Sequence, residues 1–142
     1  MSEDTIRTFN YDTDYERVMD LWRSAGAGIQ LRRSDEPDEI KKKLDYHPDL
    51  FLVYESEEEI VGAVLGGFDG RRGLMYHLSV AERFRKKGIA SLLVDELEKR
   101  LKQHGCIRYY LLVTPDNTQA IDFYEHRGWG KLDLLVYARD LE

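Results

Sequence analysis

Between Gly73 and Thr114 the chain reads as strand, helix, strand. Gly88 to His104 places Ala90, Leu93, Val94, Leu97 and Leu101 at the 3.6-residue period of an amphipathic helix. Gly105 follows where a left-handed C-terminal cap belongs. Gly73 to Val80 before the helix and Arg108 to Thr114 after it have the length and composition of strands. Two strands joined through a helix lie parallel, so the segment predicts one parallel crossover.

The flanking segments predict the remaining elements. Ile6 to Phe9 is a first strand. Thr13 and Glu16 have the spacing of a capping box, and Tyr15, Val18, Met19 and Trp22 then share a helical face that Gly26 and Gly28 end. Gln30 to Asp35 reads as polar loop. Pro37 suits the first turn of a helix running to about Tyr46, and Pro48 marks its exit. Leu50 to Glu55 and Ile60 to Phe68 are two strands of a hairpin around the polar turn Ser56 to Glu59, and Asp69-Gly70 is the next turn. Asn117 can cap a helix that reaches Arg127 and stops at Gly128. Leu132 to Ala138 is a last strand, with Trp129 to Lys131 offering one more. The expectation is an α/β fold with a mixed, mostly antiparallel central sheet of six or seven strands and about four helices on both faces. No repeat or linker divides the chain, so residues 1–142 are expected to form a single domain.

Composition removes several classes of function. In 142 residues, 42% hydrophobic and 34% charged side chains suffice for one core and are too balanced for a disordered chain. A net charge of -6 disfavours a nucleic-acid binder that relies on a basic surface. No apolar run approaches the roughly 20 residues that span a bilayer, so no membrane partner is expected. The acidic start Met-Ser-Glu-Asp lacks the hydrophobic stretch of a signal peptide, so a cytoplasmic location is expected. Cys106 is the only cysteine and reads as a free thiol. His47, His77, His104 and His126 lack metal-ligand spacing, so no metal is expected.

The chemistry concentrates in Leu78-Ser79-Val80-Ala81-Glu82-Arg83-Phe84-Arg85-Lys86-Lys87-Gly88-Ile89-Ala90. A strand ends, a short basic loop follows, and a helix begins at a glycine. The first N–H groups of a helix have no internal partners, and the macrodipole makes that end positive. Such a terminus suits phosphate or pyrophosphate, and Arg83, Arg85, Lys86 and Lys87 add positive potential. By physics alone, an anion site and a solvated basic turn both fit. The loop is neither a Walker A sequence nor a Gly-x-Gly-x-x-Gly dinucleotide fingerprint.

Arg85-x-x-Gly88-x-Ala90 resembles the acetyl-CoA signature of the GNAT N-acetyltransferase family. Asn117, Ala120, Phe123-Tyr124-Glu125 and Arg127-Gly128-Trp129 are similar to that family's second block, and the element order matches over nearly the whole chain. Gly66 to Gly73 further resembles a small bacterial branch, the YpeA-like acetyltransferases. The resemblance implies acetyl-CoA as co-substrate and an amine as acceptor, with a homodimer as a common assembly. It implies that the backbone of Leu78, Ser79 and Val80 pairs with the pantetheine arm. It implies that the N–H groups of Lys86, Lys87, Gly88, Ile89, Ala90 and Ser91 hold the pyrophosphate. Asn117 would contact the cofactor near its pantetheine end, and Tyr124 would protonate the departing thiolate, as a nearby phenol can. The Val80 N–H is a candidate oxyanion donor. On residue chemistry alone, Tyr124 also reads as a packed aromatic and Asn117 as a plain helix cap.

One position departs from the family pattern. Several members carry a glutamate base where this chain has Leu112, which accepts no proton. An alkylammonium acceptor, with a pKa of about 10, must lose a proton before attack. His77, Tyr76, Glu82 or a water chain are the candidates, and His77 has the side chain that titrates near neutrality. Strand alternation would turn Tyr76 and Leu78 away from His77's side. Leu112 also leaves room for a non-catalytic acyl-CoA sensor, and the basic loop alone for a nucleotide binder. The mixed charges of Gln30 to Glu39 do not specify the acceptor.

Overall fold

The computed structural model describes residues 4–24 and 29–142. Residues 1–112 and 113–142 form two compact units, and each is described by itself.

In the first unit, β1 (Thr5–Thr8), β2 (Phe51–Ser56), β3 (Glu59–Phe68), β4 (Gly73–Val80) and β5 (Tyr109–Leu111) lie in that spatial order. The first three pairings are antiparallel, and β4 with β5 is parallel. The parallel pair is the crossover expected from the sequence, closed by α3 (Ile89–Gln103). The β2–β3 hairpin turns through Glu57 and Glu58, both left-handed at φ 51° and 67°, which is the twist a two-residue hairpin turn needs.

Helices cover both sheet faces in this unit. Phe51, Val53, Ala63 and Leu65 pack with Val18, Met19, Leu21 and Trp22 of α1 (Tyr11–Ser24) and Ile40 of α2 (Pro37–Tyr46). The alternate residues Gly62 and Gly66 face α3. A Cβ on Gly66 would lie 2.5 Å from Leu97 Cδ1, so the helix sits against bare backbone. α3 closes as the sequence predicts: Cys106 N–H bonds the Leu101 carbonyl and Gly105 N–H that of Lys102, with Gly105 at φ 91°. Cys106 is buried as a free thiol.

The start of α1 differs from expectation. Thr13 is already inside the helix, where its hydroxyl donates to Asp14. Asn10 is the side chain that caps, its Oδ1 accepting the Asp12 and Thr13 N–H groups at 3.0 and 3.4 Å. Asp14 turns inward, fully buried, and accepts both Arg7 guanidinium N–H groups at 2.7 and 3.0 Å and the Asn10 N–H at 2.8 Å. The predicted stops at Gly26 and Gly28 lie outside the described residues.

In the second unit α4 (Thr118–His126) is the sole regular element among the described residues, so the sheet has five strands rather than six or seven. Leu132 to Ala138 and Trp129 to Lys131 form no strand. Leu134, Leu135 and Val136 are three apolar residues in succession, which gives no alternating face, and all are exposed. Water can satisfy the backbone groups of an exposed segment, so nothing forces it to pair. Among the described residues no helix is long and apolar enough to cross a membrane.

Candidate active site

β4 carries the candidate site, and it is paired unevenly. Its ladder to β5 covers only Gly73, Leu74 and Met75. From Tyr76 to Val80 no described strand lies on that side. Ala81 N–H bonds the Val61 carbonyl at 2.8 Å on the β3 side, so alternation turns the Val80 N–H and C=O toward the open edge. The Val80 carbonyl there accepts Arg85 Nε at 3.2 Å. Leu78, two residues back, shares that edge.

A bulge interrupts β4 on its other side. Ala63 pairs with Ser79 and Leu65 with Tyr76, so His77 and Leu78 together oppose Val64. His77 sits at φ 51°, a left-handed conformation uncommon for a side-chain-bearing residue. The simple alternation expected for Tyr76, His77 and Leu78 therefore fails at this point. Ser79 Oγ, just beyond the bulge, is buried with no partner among the described residues.

The loop leaves β4 and delivers a bare helix end. Lys86 and Gly88 are both left-handed, at φ 64° and 81°. Gly88 is the N-cap of α3 and caps with no side chain. The first bond is Leu92 N–H to the Gly88 carbonyl, which leaves the N–H groups of Ile89, Ala90 and Ser91 without intrahelical acceptors. A Cβ at Gly88 would meet nothing within 4 Å, so the space before the helix is open. Lys86 and Lys87 are exposed around it. Arg83 is drawn aside into an ion pair with Glu59. These groups fit a pyrophosphate: open backbone donors, a positive helix end and exposed ammonium groups.

His77 is tied to a residue that the sequence did not single out. Its Nε2 lies 3.1 and 3.2 Å from the two oxygens of Asp35, in the short 3-10 turn Arg33–Asp35 ahead of α2. Asp35 is buried and also accepts the Arg32 N–H at 3.0 Å. Trp22 meets the imidazole ring edge-on at 4.6 Å, and the Tyr15 hydroxyl donates to the Asp35 carbonyl at 2.8 Å. Asp35 was legible only as one charge in a mixed loop, because nothing in the sequence pairs positions 42 residues apart. Of the other proton-acceptor candidates, Glu82 is exposed and Tyr76 is 39% exposed, and desolvation of the covered part of the Tyr76 ring pushes its phenol up. Leu112 is exposed and apolar.

The second unit holds Asn117 and Tyr124. Asn117 caps α4, its Oδ1 accepting the Ala120 N–H at 3.2 Å, which leaves the amide NH2 for other acceptors. Gly128 N–H bonds the Glu125 carbonyl and Trp129 N–H that of Tyr124, with Gly128 at φ 89°. Desolvation pushes the Tyr124 phenol up to about 12.

Comparison with known proteins gives concordant matches. The Acetyltransferase (GNAT) family model matches residues 15–129. An acetyltransferase of Pectobacterium atrosepticum is 42% identical over 137 residues, covering 96% of this chain and 94% of its own. One from Sodalis glossinidius is 43% identical over 132 residues, covering 92% and 90%. Among solved structures, the aminoglycoside acetyltransferase AAC(6')-Iy in complex with a CoA-linked bisubstrate analogue superposes with a TM-score of 0.76 at 17% identity, over 98% of this chain and 99% of that one. That last likeness is one of fold.

Proposed function

The chain belongs to the Acetyltransferase (GNAT) family, and from that premise we propose that it transfers an acetyl group from acetyl-CoA to a primary amine, on a small molecule or a peptide, by direct attack in a ternary complex. We take residues 1–142 to act as one acetyltransferase domain. The observation that carries this reading is a strand with an open edge, from Tyr76 to Val80, feeding directly into the bare N-terminus of α3. An amide-bearing arm can add to such an edge as a strand does. The N–H groups of Lys86 to Ser91 then hold the pyrophosphate, with Arg85 and Lys87 beside it.

The chemistry balances without a covalent enzyme intermediate. The acceptor ammonium first gives one proton to a base, which we assign to His77. The free amine attacks the thioester carbonyl carbon, and the Val80 N–H stabilises the oxyanion. The C–N bond forms, the C–S bond breaks, and its electron pair leaves on sulfur. The nitrogen sheds a second proton as the amide forms, and the thiolate takes one up, so the net products are amide, CoA thiol and one proton.

Tyr124 is the proposed donor to the sulfur. A phenol at about 12 stays protonated throughout the working range, so it is always available. A thiol near 8.5 is the stronger acid, which makes Tyr124 chiefly a hydrogen-bond donor to the developing thiolate. Its proton crosses fully only where the amide nitrogen's proton replaces it.

Leu112, at the position where the family resemblance implies a glutamate base in several members, favours a second reading as a non-catalytic acyl-CoA sensor. Release of CoA thiol from acetyl-CoA in the presence of n-propylamine, spermidine or a lysine-containing peptide separates the two. Amine-dependent thiol release with an acetylated product supports the enzyme. Acetyl-CoA binding with no release for any amine supports the sensor.

A further inference from the structure

We propose that Asp35 is the positioning residue that fixes the proton of His77 at Nε2 and so makes Nδ1 the atom that accepts the proton of the incoming ammonium. The inference rests on the N-acetyltransferase reading and adds to it the identity of the basic atom and of its partner.

A neutral imidazole carries its proton on one nitrogen, and the hydrogen bond at that nitrogen decides which. Both Asp35 oxygens face Nε2, at 3.1 and 3.2 Å, and an ionised carboxylate offers only acceptors. The Arg32 N–H, at 3.0 Å from Oδ2, already donates to the same group and holds it in place. The Tyr15 hydroxyl secures the Asp35 carbonyl. Nε2 must therefore bear the hydrogen. Nδ1 has no hydrogen-bond partner among the described residues, so its lone pair is left for a proton from outside. The ring cannot swing away: Trp22, itself fully buried, closes on it edge-to-face at 4.6 Å. The imidazole is nonetheless partly accessible, with 21% of its side-chain surface exposed.

The backbone shows the same investment. His77 is held at φ 51° inside the bulge, immediately before Leu78 on the open β4 edge. Left-handed residues with side chains are strained by about 1 kcal/mol or more and persist where surroundings over-determine them.

The titratable and charged groups around the pair come from three elements. The turn before α2 supplies Asp35. α1 supplies Tyr15, whose phenol burial pushes up, with Arg23 within electrostatic reach of it. β4 supplies Tyr76, the residue before His77. When the ammonium proton moves to Nδ1, the resulting imidazolium faces the Asp35 carboxylate.

The experiment reads the tautomer directly in the free protein. Long-range proton–nitrogen NMR on histidine-labelled wild type, with His77→Gln for assignment, should show neutral His77 as the Nε2–H form. In Asp35→Asn the Arg32 N–H claims the one remaining oxygen and the amide NH2 turns to Nε2, so the Nδ1–H form should dominate. With the three amines used above, Asp35→Asn should lower kcat about ten- to a thousand-fold and leave the acetyl-CoA KM unchanged. Asp35→Glu should recover part of that loss. A wild-type Nδ1–H tautomer, or an Asp35→Asn enzyme that merely melts earlier with tautomer and kcat intact, would overturn the proposal. Absence of wild-type transfer to all three amines would overturn the enzyme reading and the proton-acceptor role together, and it is recognised by the lack of any wild-type turnover.

Discussion

Trp129 holds Tyr124 twice. Its N–H bonds the Tyr124 carbonyl at 3.1 Å, and the two rings meet edge-on with centroids 5.6 Å apart. The first contact is the long bond of a Schellman cap, and the second is the apolar contact that accompanies such caps. The helix terminator and the placement of the proposed acid are thus one motif, made possible by Gly128 at φ 89°. Tyr124→Phe keeps both contacts and removes only the hydroxyl. We expect kcat to fall about a hundredfold with the acetyl-CoA KM unchanged. Trp129→Ala, which removes the ring contact, should lower kcat less and weaken the Tyr124 geometry. Steady-state kinetics on both variants checks the order.

Gly88→Glu tests the helix end. A carboxylate there repels pyrophosphate and fills the open space, so acetyl-CoA affinity should drop by at least a hundredfold in calorimetry. The left-handed φ of 81° also penalises any side chain, so Gly88→Ala is the control. The alanine should show about 1 kcal/mol of instability and retain most of the affinity. Equal binding losses in both would show that strain, and not the site, is responsible.

His77→Gln tests the base. If an imidazole takes the ammonium proton, the rise in kcat between about pH 6 and 8 should flatten in the variant. A profile that keeps its wild-type shape assigns proton removal to another group.

Asp14 governs acid stability at the β1–α1 junction. Burial pushes its carboxyl up, but the Arg7 hydrogen bonds and the Asn10 N–H outweigh that and hold it below the usual carboxylate range. A carboxyl lowered in the folded state contributes stability that is full above its unfolded value of about 3.9 and lost as pH falls through the folded one. Asp14→Asn should therefore cost about 2 kcal/mol at pH 7 and narrow the wild-type advantage below pH 4. Urea denaturation at pH 7 and pH 3 measures both.

Much of the fold was legible because local chemistry fixed it. Gly105 and Gly128 were readable as helix stops, since only a left-handed residue completes those caps. The Pro37–Tyr46 helix and the parallel crossover followed from periodicity and proline placement. What failed depends on contacts made outside the element itself. Thr13 lost the cap to Asn10 because Asp14 is pulled inward by Arg7, a tertiary event. Leu132 to Ala138 has strand composition, but a strand exists only through pairing, and this segment has none. At the site, the loop from Arg85 to Ala90 was visible as a motif. Asp35 was not, because its place beside the candidate site comes from meeting a bulged His77 across the fold.

The most direct test of the account is the melting temperature with and without saturating acetyl-CoA, with ATP in parallel and Gly88→Glu as a second protein. At a hundred times its dissociation constant a native-state ligand adds about 2.7 kcal/mol. That should raise the midpoint by several degrees for acetyl-CoA with the wild type, by at most about a degree for the variant, and by nothing for ATP. An unmoved midpoint with acetyl-CoA, or an equal rise with ATP, would contradict an acyl-CoA site at the β4 edge and the start of α3.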